Sequence, residues 1–155
     1  MNAMTRHRGG APVGFMTELG PIEAGAVLSL RLWCDGPDAQ AQVWNDFASS
    51  LGPKRGREAL KAFECLCDVC VRHGRRHLMR HQVNCKCLGA DESCFANFVG
   101  YATDGERGDA FLIATTIVRP NMAPMAVEYA QQFGLALRQM TKATPQLNCG
   151  TTTIH

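Results

Sequence analysis

Apolar residues recur at steps of three and four along most of the chain, the spacing of helices packed on one face. Ile22, Ala26, Leu30 and Trp33 mark the first such face behind Gly20-Pro21, a first-turn proline. The helix is expected to stop at CDG, where Gly36 is available as a terminator. A second helix is predicted from Pro37 to Leu51, with Val43, Phe47 and Leu51 turned inward and Trp44 beside them, ended by Gly52-Pro53. The basic turn GPKRGR leads to a third helix from about Glu58 to His73, stopped by Gly74. GADESCFANFVGYATDG reads as a fourth helix: Asp91 and Glu92 suit the positive end of its dipole, and Phe95, Phe98, Val99 and Ala102 form its inner face. DAFLIATTIV, capped by Asp109, has the Ile, Thr and Val content of a strand, but its helical neighbours argue for a fifth helix. A sixth follows Asn121 and carries Met125, Ala126, Tyr129, Ala130 and Phe133, with Gly134 ending or bending it.

The pattern predicts an all-α fold: one compact domain of five or six helices over residues 15–140, with disordered tails at 1–14 and 141–155. At 155 residues, 46% apolar and 19% charged, the chain is long enough to bury a core without disulfides. No apolar run approaches the roughly 18 residues needed to span a bilayer, so no membrane role is expected. The N-terminal MNAMTRHRGGAPVG lacks the apolar stretch of a secretory signal, which points to the cytoplasm.

That compartment gives weight to the eight cysteines, because cytosolic thiols stay reduced unless they bind metal or carry redox chemistry. The densest stretch, HLMRHQVNCKCLGADESC, begins at His77. If it is helical, His77, His81 and Cys85 stack at intervals of four. Cys85 and Cys87 flank Lys86 just before Leu88-Gly89, where a turn can aim both sulfurs at one point. Zinc takes four nitrogen or thiolate ligands in a tetrahedron, and His81, Cys85, Cys87 and Cys94 supply that number. Cys34, in the turn WCDGP, is the rival fourth ligand. An iron–sulfur cluster is the alternative cofactor for the same thiols.

Three further cysteines lie in ALKAFECLCDVCVRH. At about 100° per residue, Cys67 and Cys70 share the apolar stripe with Ala59, Phe63 and Leu66, whereas Cys65 points away with Lys61, Glu64, Asp68 and Arg72. Core filling explains the pair. The Cys67-Asp-Val-Cys70 motif with His73 behind it also resembles the alkylhydroperoxidase D-like family, small all-helical proteins with a helical CxxC and a nearby histidine. The resemblance covers this motif and the helical class. It implies a thiol oxidoreductase or peroxidase in which Cys70 attacks peroxide, Cys67 resolves and His73 relays protons. In that family three residues precede the histidine, whereas Val71 and Arg72 alone intervene here.

The net charge of +2 does not by itself imply nucleic acid. RHGRRHLMR nevertheless concentrates Arg72, Arg75, Arg76 and Arg80 without an acid, a patch able to bind phosphate groups of nucleic acid. No GxGxxG, Walker, HExxH or GxSxG pattern occurs. The reading that best joins these features is a small metal-binding protein, with zinc or an iron–sulfur cluster, in a regulatory or assembly role with a protein partner. The thiol oxidoreductase is the alternative, and a plain helical interaction module the third.

Overall fold

Three of the helices begin on the same dipeptide, Gly-Pro. Proline at the first helical position loses no hydrogen bond, and the preceding glycine lets the chain turn sharply into the axis. Gly36 and Gly52 use that freedom, with φ of 114° and 88°. The resulting helices are α1 (Pro21–Trp33), α2 (Pro37–Leu51) and α3 (Pro53–His73). They are followed by α4 (Ala90–Thr103), α5 (Arg107–Ile117) and α6 (Ala123–Thr152). The computed structural model describes residues 8–152, with side chains as far as residue 142. Among these residues the fold is all-α, six helices with one small two-stranded sheet.

α1, α2 and α4 fall where the apolar spacing predicts, and DAFLIATTIV is helical. α3 begins earlier than expected, because Gly52-Pro53 starts a helix as well as ending one. Gly56, inside the supposed basic turn, is buried where α3 crosses α2: a Cβ there would meet the Ala48 backbone at 2.9 Å. α6 runs through Gly134, since that glycine serves packing: a Cβ would overlap the Thr103 hydroxyl of α4. Its backbone continues past Met140 to Thr152, where a tail was expected. Residues 1–7 and 153–155 of the two expected tails lie outside the described residues.

α6 packs against all five other helices. Their shared core is built on phenylalanines: Phe63 stacks on Phe133 at 4.6 Å between ring centres, and Trp33 meets Phe63 edge-on at 5.5 Å. Among the described residues no helix is long and apolar enough to cross a membrane.

The second departure positions the site. Residues 8–14 are not tail. Arg8–Gly10 form a 3₁₀ turn against α4, and β1 (Pro12–Phe15) pairs antiparallel with β2 (Cys87–Gly89). The register joins Pro12 to Gly89 and Phe15 to Cys87, with an irregularity between Pro12 and Gly14. A small second cluster of Val27, Leu88 and Ala96, with Met16 and Leu19 against it, seats the sheet on α1 and α4.

Candidate metal centre

Residues 75–86, which carry the His/Cys stretch, are not helical, so the expected stacking of His77, His81 and Cys85 does not form. The cause lies in four charged side chains. Asp91 and Glu92, in the first turn of α4, are both buried. Asp91 accepts the N–H of Met79 at 2.7 Å and pairs with the Arg76 guanidinium. Glu92 accepts the N–H of His81 at 3.1 Å and that of its own N-cap residue, Gly89, at 3.0 Å. Amides two residues apart face the same way only in an extended chain, so these acids select an extended segment. Arg31 of α1 completes the frame. It meets Glu92 at 2.6 and 2.8 Å and donates to the carbonyls of Cys85 and Cys87 at 2.7 and 2.8 Å.

The Arg31–Glu92 pair is essentially excluded from solvent, with side-chain exposures of 1% and 0%. Burial alone would raise the Glu92 carboxyl, but the hydrogen bonds from Arg31, Gly89 and His81 outweigh it and hold the group below its ordinary value. Arg31 is held raised, chiefly by Glu92. No buried side-chain nitrogen or oxygen among the described residues lacks a partner. Sequence periodicity passed over this frame. The signal available was a charge at position 31, one helical turn beyond Val27 and between Leu30 and Leu32, all buried.

Within the frame a turn places the N–H of Cys85 on the carbonyl of Gln82, which swings the thiol back to His81. Cys85 Sγ lies 3.5 Å from His81 Nδ1, and His81 Nε2 lies 2.8 Å from the carbonyl oxygen of Gly10. A carbonyl can only accept, so Nε2 carries a proton, and Nδ1 is the ring nitrogen that faces the sulfur. The ring rests over Gly89, where a Cβ would meet its Cδ2 at 2.9 Å. His81 and Cys85 both border a surface cleft of about 580 Å³ floored by Gly10, Ala11 and Pro12.

The other expected ligands are dispersed. Cys87 opens β2, and its carbonyl is bound by Arg31. Cys94 turns toward α5, its sulfur 3.6 Å from the Thr116 hydroxyl, because the first turn of α4 directs its acids, not its thiol, at the loop. Cys34 caps the C-terminus of α1 and shares a cleft of about 250 Å³ with His81. Among the described residues no three of His, Cys, Asp and Glu are gathered as a metal would need. The four expected ligands are therefore not gathered at one point; of them, His81 and Cys85 lie side by side.

Cys67 and Cys70 pack against the core, as the helical face predicts, and border a cavity of about 330 Å³ with Cys34 and His77. Burial pushes the Cys70 thiol up to about 12 and that of Cys67 well above its ordinary value, with Cys70, Cys34 and Glu64 adding to the latter. Burial also raises Cys34, against the pull of Arg80. His73, the last residue of α3, borders a different cleft with Cys65 and Tyr129, so the histidine beside the CxxC pair is His77.

The arginines of the basic segment are largely engaged. Arg72 pairs with Asp68 at 2.9 Å, Arg75 donates to the carbonyl of Thr115, Arg76 holds Asp91, and Arg80 reaches the Cys34 carbonyl at 3.4 Å. Comparison of the chain with protein-family models, with curated proteins and with solved structures finds no match.

Proposed function

We propose that the protein is a zinc-binding helical protein whose metal is held by His81 Nδ1 and Cys85 Sγ. The observation that carries this reading is their separation of 3.5 Å. With Zn–S of about 2.3 Å, Zn–N of about 2.0–2.1 Å and tetrahedral angles, neighbouring sulfur and nitrogen ligands lie about 3.5 Å apart. One edge of a zinc tetrahedron is thus prepared before metal arrives. The bond from His81 Nε2–H to the Gly10 carbonyl supports the same reading, because a zinc-bound imidazole ordinarily gives its second nitrogen to a carbonyl or carboxylate. In a reducing cytoplasm the thiol remains free to ligate. The role is one of regulation or assembly, with the metal fixing the His81 ring whose other nitrogen holds the Gly10 carbonyl of the N-terminal segment. An iron–sulfur cluster is less favoured, because an imidazole nitrogen stands beside the thiol where a second cysteine would serve better. The arginine pairings lend no support to nucleic-acid binding through residues 72–80.

Metal analysis of protein purified without chelator tests this reading, alongside the absorption spectrum of a cobalt-substituted sample. Bound zinc is expected, with intense tetrahedral thiolate–cobalt bands. His81→Ala and Cys85→Ser each lose the metal, while Cys94→Ser and Cys65→Ser retain it. The same His–Cys geometry could instead activate Cys85 as a nucleophile. Protein that takes up no zinc, yet whose Cys85 alkylates rapidly and depends on His81 to do so, would establish that second reading and end the first.

A further inference from the structure

The tetrahedron has four positions, and the described part of one chain prepares two of them. We infer that a second copy of this chain supplies the other two, so that zinc joins a symmetric dimer through His81 and Cys85 of each protomer. The inference rests on the zinc reading above and identifies its partner. A two-fold axis presents the same patch twice, so a prepared His–Cys edge becomes a Cys₂His₂ set with no further residue needed. Both ligands border an open surface cleft, where another molecule can reach them. A buried pair would have to be completed from its own chain.

The surroundings favour this occupant. The cleft is bordered by Gly10, Ala11 and Pro12, and β1 continues from Pro12 as one strand of a sheet that has two strands among the described residues. Val13 and Phe15 on that strand are 58% and 57% exposed, among the largest exposures of apolar side chains in the described residues. Exposed apolar side chains on the strand of a two-stranded sheet are a feature that partner surfaces commonly cover. Charge also balances: two thiolates neutralise the zinc ion, leaving no added positive charge beside Arg31 and Arg80.

The test is the mass of the full chain in solution, by native mass spectrometry and light scattering, with a non-thiol reductant present to exclude disulfide dimers. Zinc should double the mass, with about one zinc for two chains, and a chelator should return the monomer reversibly. Cobalt in place of zinc should give the spectrum of two sulfur and two nitrogen ligands. Cys85→Ser should remain monomeric at every zinc concentration, and chelator reversal in the unaltered chain covers the case in which that variant folds poorly. A monomer holding one zinc, with Cys34 or Cys87 recruited as further ligands, overturns the dimer and leaves the zinc reading standing. A dimer that persists in chelator overturns the bridging role. Absence of zinc from both states overturns the dimer and the zinc reading together.

Discussion

At the scale of single residues, Gly89 shows how little room the site allows. Its φ of −80° is open to any residue, so backbone freedom does not explain the glycine. The reason is the imidazole of His81, which occupies the space a side chain would need. Gly89→Ala should therefore leave the fold intact and push the ring away from Cys85. The expected result is a loss of roughly 10-fold to 100-fold in zinc affinity, the usual cost of disturbing the support of a ligand. Competition with a chromophoric chelator measures it, and a circular dichroism spectrum equal to that of the unaltered chain shows the loss to be local. Unchanged affinity would mean that the ring position seen here is not the one that binds.

At the scale of the element, α3 sorts its three cysteines by face alone. Cys67 and Cys70 lie on the stripe that meets the core, and burial keeps both thiols protonated near neutral pH, that of Cys70 up to about 12. The thiolate is the reactive form. Alkylation of the native reduced protein should thus be slow at both positions at pH 7, rising about tenfold per pH unit while each remains below its pKa. Peptide mapping by mass spectrometry reads the order, with denatured protein as the reference for full reactivity. Fast labelling of either at neutral pH, with a peroxide-driven bond between them, would favour the chemistry implied by the alkylhydroperoxidase D-like resemblance. That resemblance also loses His73 to another cleft, although His77 stands beside the cavity in its place. Cys149 lies beyond the described side chains.

At the scale of the whole molecule, one buried ion pair joins α1, the loop before β2 and the start of α4. Removing one partner leaves the other charged and buried, so Arg31→Met should cost about 3–5 kcal/mol in denaturant unfolding. Replacing both, as Arg31→Met with Glu92→Leu, should recover only part of this. The amides of Gly89 and His81 and the carbonyls of Cys85 and Cys87 would still lose their partners. Full recovery would show that the pair, and not its bonds to the loop, sets the energy. The sequence by itself determined the helices: Ile22 to Trp33, Val43 to Leu51 and Phe95 to Ala102 each declare a face, and Gly-Pro steps punctuate them. It also determined which face Cys67 and Cys70 occupy, because helical geometry depends on neighbours three and four residues away. The non-helical course of residues 75–86, the pairing of β1 with β2 and the geometry in which His81 meets Cys85 were decided only by tertiary structure. Asp91 and Glu92 read locally as helix-dipole acids. Their buried partners, Arg31 and the amides of Met79 and His81, come from elsewhere in the fold, and bonds of that range leave no periodic trace. A helix through His77, His81 and Cys85 would have stacked all three; the acids of α4 instead hold the amides of Met79 and His81, and His81 meets Cys85 across a turn.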